Sequence, residues 1–223
     1  MKKARKAPRF RRILPDDRRA LLIEAGLACL ARGGILGFTI DRICTEANVS
    51  RGLIAHHFKS KSGLLAAIYE TMIGRLLSVV ESPGDSSKAG ADSHIAAIIE
   101  ASFSLEALTR DSLRIWLVLW GEIANNPALL KAHRKQYARY RAGVEAALGA
   151  LALDRTLEVD IPFIAMMFIS LVDGLWLEWC IDPRQISETD AKEACRRLLE
   201  PIFGELSLAD RAPSRSYTAQ AGQ

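Results

Sequence analysis

Arg51, His56, His57 and Lys61, framed by Thr39 and Ser50, could together make a surface that grips a polyanion. Arginine presents a planar fork of donors that matches guanine O6 and N7, whereas lysine, imidazole and hydroxyl groups reach phosphate oxygens. Such groups need a scaffold, and the residues around them supply one. Ile40, Ile43, Cys44 and Ala47 fall at i, i+3, i+4 and i+7, an apolar stripe on a short helix that Thr39 can cap. Asn48-Val49-Ser50 is a tight break, and Ser50 is a good N-cap for a second helix. That helix buries Ile54 and Phe58 and turns Arg51, His56 and His57 outward. Residues 39–61 therefore read as a helix-turn-helix, whose short second helix is what the major groove of double-stranded DNA admits. A metal at His56-His57 is the competing chemistry. Adjacent helical residues diverge by about 100°, and no Cys, Asp or Glu nearby supplies a third ligand, so no metal is expected.

A second group of residues lies far along the chain. Trp116 and Trp120 are one turn apart on one helix, Trp176 and Trp179 are three apart on another, and Glu122, Asp173 and Glu178 lie close to them. Tryptophan faces attract cations, and aromatic cages hold quaternary ammonium groups. Trp116, Trp120, Glu122, Asp173, Trp176 and Trp179 are thus candidates for binding a small cationic amine between the two helices. Aromatic residues at helical spacing also make ordinary core or dimer interface, and an apolar or aromatic effector would suit the same rings. Asp173 is the sharpest clue, because a carboxylate inside an apolar stretch is costly unless paired. It could equally cap a backbone or pair with an arginine across a dimer.

The elements that must position these groups are helices. Helix formers dominate and β-branched runs are almost absent, so the expected fold class is all-α, with about nine helices. The first runs from about Asp16 to Arg32, with Leu21, Leu22, Ala25, Ala28 and Cys29 inward, and Gly33-Gly34 ends it. Ser60 or Ser62 caps a fourth helix carrying Leu64, Leu65, Ile68, Met72, Leu76 and Val80, long enough to leave the first bundle and enter a second. Glu81 to Asp92 reads as a linker. Ile95, Ile98, Ile99 and Phe103 define a fifth helix; Leu113, Trp116, Leu117 and Trp120 line a sixth. Asn126-Pro127 opens a seventh that runs to about Leu151, with Leu130, Tyr137, Tyr140, Val144 and Leu148 inward. Asp160-Ile161-Pro162 opens an eighth with Phe163, Met166, Met167, Ser170, Leu171, Gly174 and Leu175 on its apolar side, closed by Asp182-Pro183. Ser187 with Asp190 resembles a capping box. The ninth helix puts Ala191, Ala194, Cys195, Leu198, Ile202 and Phe203 on one stripe, and Pro201 should kink it. The domains expected are a basic disordered arm (1–15), a helix-turn-helix domain (16–62), a ligand-binding and dimerisation domain (63–206) and a disordered tail (207–223).

The net charge of +4 is unevenly spread: residues 1–19 carry nine Lys/Arg and two Asp, a net of +7, leaving about −3 for the rest. Such an arm can touch phosphate or an adjacent minor groove, or simply be a solvated tail. Pro15-Asp16-Asp17-Arg18-Arg19 interrupts any export signal, and no window approaches 18 uninterrupted apolar residues, so neither export nor a membrane partner is expected. Cys29, Cys44, Cys180 and Cys195 sit at apolar positions without a Cys-x-x-Cys pair, as reduced core residues of a cytoplasmic protein do. The last two long helices, about 160–182 and 187–206, are more apolar than surface helices need to be, and Ser170 and Gly174 would admit a close neighbour. Two from each chain make a four-helix homodimer interface. A dimer also suits two recognition helices about 34–36 Å apart on a palindromic operator.

The N-terminal three-helix unit ending Val49-Ser50-Arg51-Gly52-Leu53-Ile54-Ala55-His56-His57-Phe58-Lys59-Ser60-Lys61, then Gly63-Leu64-Leu65, resembles the TetR family of one-component transcriptional repressors. Gly52–Phe58 together with Val172-Asp173-Gly174-Leu175-Trp176-Leu177 looks most like its BetI-type, choline-responsive branch. The resemblance implies phosphate contacts from Thr39, Ser50 and Lys61, groove-facing roles for Arg51, Gly52 and Leu53, and backbone contacts from His56 and His57. Ala55 departs from the tyrosine often found there. It also implies a homodimeric repressor released by a small-molecule effector, a choline-like amine by this resemblance, with no cofactor. The rivals are an architectural DNA-binding protein without an effector, and an enzyme; the chain has no Gly-rich phosphate loop, Gly-x-Ser-x-Gly elbow or His-Glu-x-x-His motif to support the latter.

Overall fold

The computed structural model describes residues 15–81, 90–104, 109–182 and 184–206. Nine helices and no strand occur among them: α1 (Pro15–Gly37), α2 (Ile40–Ala47), α3 (Arg51–Phe58), α4 (Lys61–Glu81), α5 (Ala91–Ser102), α6 (Arg110–Ile123), α7 (Pro127–Asp154), α8 (Ile161–Ile181) and α9 (Glu188–Phe203). Most of the expected arm and linker (1–14 and 82–89) and the tail lie outside the described residues, but α5 already begins at Ala91, inside the segment read as linker.

Capping explains most of the boundaries. Thr39, Asn126 and Asp160 each accept a backbone N–H three residues on, at 3.3, 3.2 and 3.1 Å, and Ser187 and Asp190 form the reciprocal capping box. Gly34 (φ 56°) breaks α1, and the chain resumes for one more turn to Gly37, past the expected end. Pro201 lies in the last turn of α9, which continues to Phe203.

Several stripes are rotated from expectation. In α1 Leu21 is exposed and Ala28 half-buried, while Ile23 and Leu30 join the core. In α2 Ile40 is on the rim while Ile43, Cys44 and Ala47 are buried, and in α4 Met72 and Leu76 are half-buried behind Ile73 and Leu77. α6 buries Leu113, Ile115 and Leu119, leaving Leu117 exposed and Trp116 and Trp120 half-buried. In α7 Leu129, not Leu130, is fully buried. α8 shows the largest difference. Its buried side is Ile164, Ala165, Phe168, Ile169 and Val172, while Phe163 (51 %), Met166 (42 %), Ser170, Gly174, Leu177 (43 %) and Ile181 (65 %) face outward. A helix that is apolar all round gives periodicity nothing with which to choose its inside.

By length and composition α8 and residues 17–37 of α1 are apolar enough to cross a bilayer, with mean hydropathy 1.7 and 1.6, although no such span was expected. Core helices pass the same test, and each of these packs one face on its neighbours: α1 on α2, α4 and α6, α8 on α6, α7 and α9.

Two joints matter for the sites. At the first, α3 ends on Lys59 (φ 67°, ψ −37°), Ser60 Oγ accepts from Gly63 N at 3.1 Å, and a Cβ on Gly63 would lie 2.1 Å from the Phe58 carbonyl oxygen. Ser60, rather than Ser62, is therefore the cap of α4, and α4 starts pressed against the end of α3. At the second, α4 and α7 run side by side in the same direction. Asn126 Nδ2 reaches Ser62 Oγ at 3.4 Å, Tyr69 meets His133, and Arg139 forks onto both Glu81 oxygens at 2.7 and 2.6 Å. Gly143 permits the approach, since a Cβ there would sit 2.9 Å from Val80.

Candidate DNA interface and effector site

Three helix N-termini carry exposed polar residues. Thr39 precedes α2, Ser50 precedes α3 and Lys61 opens α4, each exposed, so orphan amides and a cation are available to phosphates. Asn48 adopts the left-handed conformation (φ 52°, ψ 50°) and closes α2 by giving its N–H to Cys44 and Thr45 carbonyls, which makes the sharp turn. Ser50 has the extended backbone of a cap, but its hydroxyl makes no capping bond, contrary to expectation. Arg51 is 72 % exposed and its guanidinium pairs with Asp41 of α2. Gly52 is exposed, and a Cβ added to it would meet nothing within 4 Å. Leu53 is half-buried and packs on the core, leaving less of it for a groove. His56 is exposed, whereas His57, expected outward, is half-buried with its ring 6.1 Å from that of Phe58. The two imidazoles stand edge to face at 4.9 Å, and among the described residues no group of three or more His, Cys, Asp or Glu could hold a metal.

The second site gathers rings from four helices. Trp116 of α6 is 5.8 Å from Tyr69 of α4, 6.0 Å from Trp120 and 6.0 Å from Trp176 of α8. His133 and Tyr137 of α7, 5.0 Å apart, continue the cluster. Its polar members are linked: Tyr69 Oη and His133 Nδ1 are 2.9 Å apart, Tyr137 donates to Asp173, and Trp176 Nε1 donates to the Ser102 carbonyl at 2.9 Å. Trp179 stands apart, stacked on Phe103 at 6.3 Å and buried. Glu122 is half-buried near the end of α6, with no side-chain partner shown beside the cluster.

Burial raises the Asp173 pKa above its ordinary value, opposed by the Tyr137 hydrogen bond and by His133; among the described residues no lysine or arginine pairs with it. Burial also lowers His133 and raises Tyr69 and Tyr137, so this is a neutral, poorly solvated cluster around one carboxyl group. The Tyr140 hydroxyl, on a ring 6.0 Å from that of Tyr137, is buried and makes no hydrogen bond of ordinary geometry, although the Ser102 hydroxyl is near enough to act on it. A groove of about 340 Å³ along α7, lined by His133, Tyr137, Arg134, Ala138 and Arg141 among others, opens beside these rings. The four cysteines are free; three are buried, and burial pushes Cys180 up to about 11 and Cys195 to about 12, as unreactive thiols.

Sequence reasoning missed Tyr69 and His133, and treated Tyr137 as core. Asp173 was the available signal, since a buried carboxylate demands a partner.

Comparison with known proteins now bears on this arrangement. Residues 91–204 match the family described as "BetI-type transcriptional repressor, C-terminal", and residues 22–68 match "Bacterial regulatory proteins, tetR family". The chain belongs to the TetR family. The TetR match at the N-terminus spans α1 to α4, and the BetI-type match covers the whole ring cluster apart from Tyr69. An HTH-type transcriptional regulator BetI 2 from Chromohalobacter salexigens is 30 % identical over 191 residues, 83 % of this chain and 88 % of that protein. A solved structure from Pseudomonas aeruginosa PAO1, described as a transcriptional regulator, is 36 % identical with TM-score 0.77, covering 88 % of this chain and 95 % of that one. Two more distant TetR-fold structures carry ligands: one from Saccharomonospora viridis with choline (20 %, TM-score 0.68, 83 % and 96 % covered), and FadR from Bacillus subtilis with stearoyl-CoA (20 %, TM-score 0.67, 83 % and 98 %). At that identity they show the shared fold alone. This TetR protein is therefore a DNA-binding transcriptional regulator of the BetI type, not an enzyme.

Proposed function

We propose that this TetR-family regulator is a cytoplasmic homodimeric repressor that leaves a palindromic operator when a small cationic amine binds at Asp173. One observation carries the effector class: the half-buried Asp173 carboxyl group, bonded to Tyr137, close to Tyr69 and His133 and one turn from Trp176 of the ring cluster, has no lysine or arginine partner among the described residues. Aromatic faces and a carboxylate together favour a cation over an anion or a neutral apolar molecule. The Saccharomonospora viridis neighbour with choline bound agrees with this class, and a groove lined by Arg134, Arg141 and Glu145 as well as His133 and Tyr137 runs along α7 beside Asp173's partner Tyr137.

Entry of a cation replaces the Tyr137–Asp173 bond and shifts α7, which lies along α4 through Tyr69–His133, Gly143–Val80 and Arg139–Glu81. α4 begins against the end of α3, so a tilt of α4 moves the recognition helix. The ligand releases DNA only to the extent that it binds the shifted state more tightly. The outward apolar face of α8 (Phe163, Met166, Ser170, Gly174, Leu177) and the half-buried row Ala194, Leu198, Ile202 of α9 supply the surface for a second copy. On this reading the domains divide as the sequence suggests, with α4 shared between them.

The test begins by selecting operators from genomic DNA with the full chain, then titrating choline and tetramethylammonium against the complex. Release by these cations, lost in Asp173→Asn, is the expected result. Cations that neither release DNA nor raise the melting temperature would eliminate the cationic effector; an unresponsive regulator that still selects operators would be architectural.

A further inference from the structure

Arg51 occupies the first helical position of α3, where unpaired amides already carry partial positive charge, and α3 has no acidic residue in its first turn. A guanidinium there works against the helix dipole. Its compensation comes from another element: Asp41, in the first turn of α2, pairs through Oδ1 with Nη2 of Arg51. Both side chains are outside, 72 % and 65 % exposed, and pairs of this kind add little to stability. Nor does Asp41 help to attract a polyanion. It places an exposed negative charge directly against Arg51 of the recognition helix, which weakens the sequence-independent part of DNA affinity.

What the pair does accomplish is geometric. A guanidinium has five N–H donors, and one bond to Asp41 leaves enough for a two-point contact elsewhere. Asp41 rides on α2, whose end is fixed by the Asn48 turn and whose start is capped by Thr39, so it is a firm support for a long side chain. We propose that Asp41 is a positioning residue for DNA reading: it holds the Arg51 guanidinium ready for a bidentate contact with one guanine in the major groove. The loss of side-chain freedom then precedes DNA binding, and discrimination gains at the expense of general affinity. The inference rests on the DNA-binding reading above.

The experiment uses the full chain and operators it has selected. The guanine read by Arg51 is the base whose preference disappears in Arg51→Ala, and 7-deazaguanine at that position removes its N7 acceptor. The parent protein should prefer guanine to 7-deazaguanine. In Asp41→Asn that preference should shrink by about 2- to 12-fold, the effect of having to order one long side chain on binding. Affinity for unrelated DNA should rise, and Asp41→Glu should keep most of the preference. In an Arg51→Ala background, Asp41→Asn should change the preference no further. An undiminished guanine preference in Asp41→Asn, or the same loss without Arg51, would overturn the proposal; matched melting curves show that the variants are folded. Failure of the parent chain to select any DNA would instead strike the DNA-binding reading itself.

Discussion

Replacing Gly52 by alanine separates what α3 needs in order to fold from what it needs in order to bind. Glycine in a helix costs about 0.5–1 kcal/mol relative to alanine, because its backbone has more freedom to lose. The protein gains nothing internal in return: the position is exposed and a Cβ there meets nothing within 4 Å. Gly52→Ala should therefore stabilise the protein, raising the melting temperature by about 1–4 °C for a chain of this size. DNA binding should move the other way. If the second residue of α3 lies against base edges or backbone in the groove, an added methyl is overpacked there, at a cost of about 1–3 kcal/mol. That corresponds to operator affinity weaker by about 5- to 150-fold. Thermal melts at one fixed protein concentration, and fluorescence anisotropy on a selected operator at one fixed salt concentration, measure both quantities. A lower melting temperature would show that Gly52 has a structural duty; operator affinity within twofold of the parent's would show that DNA does not approach it. Either result refutes the reasoning.

Three further outcomes are expected. Arg51→Ala should relax sequence preference at one base pair by about 1–3 kcal/mol, whereas Lys61→Ala should weaken all sequences alike and reduce the salt slope by about one, both read from binding isotherms over a salt series. Burial holds the His133 pKa below its ordinary 6.5, so the unfolded chain takes up that proton first and stability falls as pH drops through 6.5. His133→Gln should flatten this decline in denaturant midpoints measured between about pH 7 and pH 5, and an unchanged slope would count against it. Asp173, raised from 3.8, acts with opposite sign in a more acidic window, where falling pH adds stability. Met166→Arg on the outward face of α8 should convert a dimer to a monomer by light scattering; a retained dimer would place the interface elsewhere.

The helix-turn-helix was readable because its signals are local. Thr39, Asn48 and the Ile40–Ile43–Cys44–Ala47 stripe act within ten residues, and all but Ile40, which lies on the rim, behave as their chemistry suggests. The ring cluster was readable only in part. Asp173 and Trp176 announce themselves by type, but Tyr69 and His133 are 64 residues apart and meet only once α4 and α7 pack in register. Nothing in either helix alone encodes that register; Gly143, which lets the helices close, looks like any other small residue until Val80 is set against it. The inside of α8 was unreadable for a different reason, because the helix is apolar on its outward side as well as its buried one. The four tryptophans, grouped together by spacing, divide: Trp116 and Trp120 of α6 join Trp176 of α8 in the ring cluster, whereas Trp179, three residues further along α8, stacks on Phe103.

The joint between α3 and α4 bears on how this protein could be re-engineered. With Lys59 in a left-handed turn, Ser60 capping α4 and Gly63 against the Phe58 carbonyl, no slack separates the recognition helix from the long helix behind it. A graft that gives the effector module a new DNA-reading head must carry the first turns of α4 with that head. A cut after residue 62, at the expected domain boundary, falls inside the first turn of α4 and divides the joint. The resulting hybrid would bind its operator and its effector and fail to connect them.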